Sequence, residues 1–243
     1  MLFRSVSQSR YTPTYTLEIP SSKEKLKFRP FLVKEQKALL LAQQSEDLHV
    51  MVDTLKSVIK SCAQSKLDID KLAVFDLEFI FSQIRAKSVG ENVELFFYCD
   101  TCDDEKAKVK INIDLTKLKV ENFEGHTNKI ELFDDVGVVM KYPNINVVGN
   151  IEKLGNVDSE IDLVFDIITE CIDYIYDTNE VYHAAEQSKQ ELADFINNLT
   201  AEQFSKIENF FETMPKLRQK VDYRCPVCQK EHHKVLEGLN NFF

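Results

Sequence analysis

The sequence predicts an α+β fold. An N-terminal β-hairpin and helices lead into a β-rich centre, and a helical insertion separates two cysteine knuckles. Three observations predict it. Apolar residues alternate with period two near residues 15–28, 93–115 and 130–142. They recur at helical spacing over 33–85 and again from 159 to about 220. Two C-x-x-C pairs, Cys99-Asp-Thr-Cys102 and Cys225-Pro-Val-Cys228, bracket the second helical stretch. The expected segments are 1–92 (hairpin plus helices), 93–148 (β-rich, first knuckle), 149–220 (acidic helical insertion) and 221–243 (second knuckle and tail), together one compact unit.

Tyr15, Leu17 and Ile19 alternate with polar residues, as do Leu26 and Phe28, with Pro20-Ser-Ser-Lys-Glu24 as the intervening turn. A helix is expected from about Val33, carrying Ala38, Leu39, Leu41 and Ala42. A second has Leu48, Met51, Val52, Leu55, Val58, Ile59 and Cys62 on one face. A third runs from Asp70, its expected N-cap, to Arg85, with Leu72, Phe75, Phe79 and Ile80 as its stripe.

Val93, Leu95 and Phe97 alternate toward Cys99, and Val109, Ile111, Ile113 and Leu115 alternate after Cys102. Ile130 and Leu132 are expected to pair with Val138, Met140 and Tyr142 across Asp134-Asp-Val-Gly137. The pattern turns helical after Gly149: Ile161, Val164, Phe165, Ile168, Ile172 and Ile175 form one stripe. Ser188-Lys-Gln-Glu191 and Thr200-Ala-Glu-Gln203 are capping boxes that open two more helices, and Pro215 limits the last. Val221 and Tyr223 precede Cys225, and a short strand near His233–Leu236 follows Cys228.

Paired C-x-x-C units in a reducing compartment point to a metal site. Cys99, Cys102, Cys225 and Cys228 are the expected ligands of one structural Zn2+, since tetrahedral zinc takes four thiolates. This makes the β-rich centre zinc-ribbon-like. The 122 residues between the pairs exceed the ~15–20 of a simple ribbon, so a subdomain inserted between its halves is expected. Closing so long a loop costs roughly 4 kcal/mol, against about 10–16 kcal/mol of apparent binding free energy for structural zinc. The alternatives are metal-free turns, a redox dithiol, or a mixed site using His126, His232 or His233. A redox dithiol needs a helix N-terminus beside a βαβ unit, and neither pair has one. Cys62 and Cys171 lie on apolar faces as core cysteines.

Hydrophobic residues make up 44 % of the 243 residues, as in a soluble globular protein. There are 30 basic and 40 acidic side chains, a net charge of −10. That balance argues against DNA or anionic-membrane partners, which need clustered positive charge. No apolar run approaches the ~20 residues of a membrane span, and the N-terminus has no apolar core of signal-peptide length. A cytoplasmic location is expected. Charge is uneven: residues 151–212 carry 15 acidic and 3 basic residues, and the stretch through Lys37 carries 8 basic and 3 acidic. The acidic helices are a solvated face or a partner surface. The P-loop, dinucleotide fingerprint, H-E-x-x-H and G-x-S-x-G motifs are all missing. No catalytic residues are assigned, and a protein-binding module is expected.

The segment from Phe28 to Asp47, FRPFLVKEQKALLLAQQSED, follows the N-terminal hairpin. After it come Phe97-Tyr-Cys99-x-x-Cys102, then Cys225-Pro-x-Cys228, and the ending Leu236-Glu-Gly-Leu-x-x-Phe-Phe243. In this order, over almost the whole chain, they resemble the baseplate hub assembly protein family of T-even-type contractile-tailed bacteriophages. The resemblance implies a virion-assembly role in the host cytoplasm, as a non-enzymatic chaperone binding phage hub or tape-measure proteins. Its alternative is a structural baseplate subunit retained in the virion; the knuckles by themselves leave a second alternative, a zinc-ribbon nucleic-acid-binding protein. Leu239, Phe242 and Phe243 are expected either to contact the partner or to tuck into the chain's own core, an apolar groove being what helix capture requires.

Overall fold

A computed structural model describes residues 12–102, 105–150 and 160–238. The expected partner-binding residues Leu239, Phe242 and Phe243 lie outside the described residues. In chain order the elements are β1 (Tyr15–Glu18), β2 (Lys25–Phe28), α1 (Val33–Ser45), α2 (Leu48–Cys62), α3 (Val74–Ser88), β3 (Asn92–Tyr98), β4 (Lys108–Asp114) and β5 (Lys119–Glu121). There follow β6 (Lys129–Phe133), β7 (Val136–Met140), α4 (Ile145–Asn150), α5 (Glu160–Glu170), β8 (Ile172–Tyr176), β9 (Val181–His183), α6 (Lys189–Asn197), α7 (Ala201–Thr213), β10 (Lys216–Arg224) and β11 (Glu231–Glu237). Helices mixed with small antiparallel sheets make the fold α+β.

The described chain divides into two compact units. One takes the residues up to Ile69, Phe75–Glu121 and those from Lys216 onward; the other takes Asp70–Val74 and Asn122–Pro215.

In the first unit, β1 and β2 form the N-terminal hairpin, in register from Tyr15↔Phe28 to Glu18↔Lys25. Its turn is held by α3: the fully buried Asp76 carboxylate accepts from the Ser21 N–H at 2.9 Å and from the Ser21 hydroxyl at 2.5 Å. The buried Glu35 accepts from the Leu32 N–H at 2.7 Å, satisfying an orphan donor at the start of α1, and from Arg29 at 3.0 Å. Asp47 caps α2 by accepting from the His49 and Val50 N–H groups. β3 pairs with β4, and β10 lies between β11 and β5. Val93, Ile113, Leu115, Leu118, Leu217, Val221, Tyr223 and Leu236 from these strands and their connections form one buried cluster with Ala86 of α3. Glu121 at the end of β5 pairs with Lys216 at the start of β10. The chain therefore leaves this unit and returns to it at adjacent positions.

The second unit is a four-stranded antiparallel sheet of order β6-β7-β8-β9. Ile130, Leu132, Val138, Met140 and Ile172 of the strands pack with Ile168, Leu192, Ile196, Ile207 and Phe210 of α5, α6 and α7. Both capping boxes form: Glu191 accepts from the Ser188 N–H at 2.8 Å, and Gln203 from the Thr200 N–H at 2.8 Å. Gly137 has no room for a side chain: a Cβ there would lie 2.6 Å from the Ile130 carbonyl oxygen and on the Tyr176 hydroxyl.

The described chain forms two units where one was expected, and strands β8 and β9 lie inside the expected helical insertion. At the level of single residues, two elements differ from the sequence expectation. The stripe through Ile172 and Ile175 continues the helical spacing of α5, yet α5 ends at Glu170 and Ile172–Tyr176 is a strand. Ile-Asp-Tyr-Ile-Tyr is rich in β-branched and aromatic residues, and pairing with β7 outweighs the chance continuation of period. Asp70 is not an N-cap. It lies in a single 3-10 turn, Ile69–Lys71, and accepts from Asn146 at 3.3 Å, while α3 starts at Val74.

Burial works against the charged form of Glu35, but the Arg29 and Leu32 hydrogen bonds outweigh it and hold its carboxyl below the ordinary 4.5. Its contribution is therefore complete above pH 4.5 and is lost as pH falls through the lowered folded value. Glu35→Gln should cost about 2 kcal/mol at neutral pH in urea denaturation, shrinking under strong acid; an equal cost at all pH values would contradict this. Gly137→Ala should cost about 1–3 kcal/mol, read as a lower urea midpoint.

Candidate metal centre

Two hairpins each deliver one C-x-x-C turn. β3 ends at Tyr98 and Cys99 follows directly; β10 ends at Arg224 and Cys225 follows directly. The second turn closes on its own backbone. The Gln229 N–H donates to the Cys225 carbonyl at 3.0 Å, and the Cys225 N–H to the Lys230 carbonyl at 2.9 Å. Gln229 takes φ 62°, left-handed backbone that glycine adopts at less steric cost. Between the hairpins, the Tyr223 hydroxyl donates to the Tyr98 carbonyl at 3.1 Å. The Tyr223 ring stacks on His232 at 4.9 Å and lies 5.3 Å from Phe97.

The sulfurs of Cys99, Cys102, Cys225 and Cys228 all lie within 4.8 Å of one another. Cys99 to Cys228 is 3.7 Å and Cys225 to Cys102 is 3.9 Å. All four are free cysteines, their sulfurs far from the ~2.05 Å of a disulfide. Metal–sulfur bonds of about 2.3 Å place tetrahedral ligand sulfurs about 3.8 Å apart, so the observed spacing is compatible with a metal site. Cys99 and Cys225 are buried with Ala107, whereas Cys228 is exposed. The cluster is closed on its inner side and open at Cys228.

The thiols are electrostatically unequal. The Thr101 hydroxyl, 3.1 Å from the Cys99 sulfur, leads in drawing the Cys99 thiol down to about 5, with further help from Cys228 and His232. The Lys230 backbone N–H lowers Cys228. Cys102 is pushed up to about 12, first by its hydrogen bond to Cys228 and then by burial. Cys99 thus favours the thiolate and Cys102 the thiol, and a divalent cation would displace the remaining protons. Cys62 and Cys171 stand apart: burial raises their thiols to about 11 and about 12, as for inert core cysteines.

The structure brings together the four cysteines named from sequence and adds two residues: His232, which the sequence offered only in an alternative mixed site, and Thr101, which it did not point to. His232 is buried, and its Nε2 lies 3.2 Å from the Cys99 sulfur. Its signal was available: on β11 it is in phase with the buried Leu236. Thr101, inside the first C-x-x-C, is the other. His126 is elsewhere, in the second unit, 3.0 Å from both Thr213 and Tyr142, and burial lowers its pKa. His233 is exposed and pairs with Asp222 at 2.7 Å. Around the knuckles, Arg224 pairs with Glu231 and Lys234 with Asp100.

The family profile described as "T4 bacteriophage base plate protein" matches residues 12–243. The chain belongs to this base plate protein family. Among the family's relatives, the baseplate hub assembly protein gp26 of Enterobacteria phage T4 is 25 % identical over 230 residues, covering 94 % of this chain and 97 % of that protein. No solved structure matches. Among the described residues, no helix is long and apolar enough to cross a membrane.

Tyr223→Phe keeps the ring stacking and removes the hydroxyl that joins the hairpins. It should cost about 1 kcal/mol in denaturant unfolding; an unchanged midpoint would show that the bond contributes nothing.

Proposed function

We propose that this base plate family member is a non-enzymatic assembly factor of the baseplate hub, acting in the host cytoplasm on hub or tape-measure proteins. One observation carries the reading: the similarity to a protein named for hub assembly spans 97 % of that protein and 94 % of this chain. The resemblance in motif order supports it. A retained structural subunit is the second reading, favoured by the family's description as a base plate protein. The nucleic-acid alternative has less support, because Arg224 and Lys234 beside the second knuckle are engaged by acids.

In this reading Cys99, Cys102, Cys225 and Cys228 hold one structural zinc, completing a zinc-ribbon-like centre. The ion supplies a cross-link between the two hairpin tips. Thr101 and the Lys230 N–H stabilise thiolate at Cys99 and Cys228, and His232 fills the buried side next to Cys99. The spacing of the four sulfurs and the free state of their cysteines support this. The result is a rigid platform for protein docking.

Co-expression with the hub and tape-measure proteins should yield a soluble complex; binding to none of them would overturn the reading. Mass spectrometry of purified particles separates the two readings, since stoichiometric presence means a retained subunit. Elemental analysis should find about one zinc per chain. Cys99→Ser with Cys225→Ser should release it and lower stability, and acid should do the same as protons compete for the sulfurs. Unchanged metal content would refute the shared site.

A further inference from the structure

Helix α1 carries its large apolar residues on the outside. Glu35 and Ala42 are buried, and Ala38 and Leu39 are half-buried, which defines the inner face. On the opposite face Val33, Leu40 and Leu41 are 80 %, 54 % and 56 % exposed. Val33, Lys37, Leu40 and Leu41 follow i, i+4, i+7 and i+8 spacing, so they form one stripe along the helix. Lys34 and Lys37 are exposed on the same side. An apolar stripe edged by lysine suits an apolar, acidic helix.

The chain itself supplies such a helix. Asp70–Val74 and Asn122–Pro215 carry 20 acidic and 6 basic residues, whereas the rest of the chain carries 20 acidic and 24 basic. Charge is thus segregated by unit, −14 against +4. Within the acidic unit, α5 exposes Ile161 (67 %) and Val164 (49 %), with the exposed carboxylate of Asp162 beside them.

We propose that the α1 face of one copy docks on the α5 face of a second copy, giving head-to-tail self-association. The two patches differ, so the interface is heterologous, and a docked pair keeps one free patch of each kind, one on each copy, for further copies. The charge complementarity makes the association salt-sensitive, because the screening length falls from about 30 Å at 0.01 M to about 3 Å at 1 M ionic strength.

Sedimentation of the full chain should show a mass that rises with concentration at low ionic strength and falls with added salt. Leu41→Glu and Val164→Glu should each give a monomer. Mixed together they should form a one-to-one complex and nothing larger, since one retains an intact α5 patch and the other an intact α1 patch. Lys37→Glu, at an exposed position, should weaken association with unchanged circular dichroism; it stands in if the other variants fail to fold. Three results would overturn the proposal: a wild-type chain that stays monomeric at low salt up to high concentration, including one that instead binds a different acidic protein; a Val164→Glu chain that self-associates as the wild type does; or a Lys37→Glu chain that associates normally.

Discussion

The convergence of four cysteine sulfurs at the tips of two hairpins is the constraint on which the first unit turns. Each C-x-x-C turn is a short piece of irregular backbone with little apolar surface of its own; among the described residues, the small Ala107 is the apolar residue buried in one cluster with Cys99 and Cys225. What brings the turns together is the sheet geometry below them. β3–β4 and β10–β11 share one apolar cluster, and Tyr223 joins the two hairpins through its ring and its hydroxyl. The strands aim the sulfurs, and an ion bound there would lock what they aim.

The long separation between the cysteine pairs has a simple topological origin. The chain leaves the first unit after Glu121 and re-enters at Lys216, and those two residues are strand partners. The second unit is therefore an insertion whose ends are already held together. Closure entropy for so long a loop grows only logarithmically, and here strand pairing carries part of it before any metal binds. A remote C-x-x-C pair can thus come within 4.8 Å of the first pair's sulfurs without a short spacer.

Much of this was legible in the sequence because the signals are local. Period-two alternation marked β3, β4, β6 and β7, and the boxes at Ser188 and Thr200 marked the starts of α6 and α7. The Cys spacing named the four clustered thiols. Other features depend on tertiary pairing. Ile172 and Ile175 keep a helical spacing by chance, and only their pairing with Val138 and Met140 makes them a strand. Asp70 has the chemistry of a cap, but a hydrogen bond from Asn146, 76 residues away, engages it instead. His232 is an intermediate case: its phase on β11 was readable, whereas its approach to Cys99 requires two hairpins to meet.

X-ray absorption at the zinc edge of the purified protein tests the central idea most directly. The account predicts four sulfur scatterers at about 2.3 Å. A first shell with nitrogen or oxygen replacing sulfur, or a protein purified under reducing conditions that takes up no zinc, would contradict it.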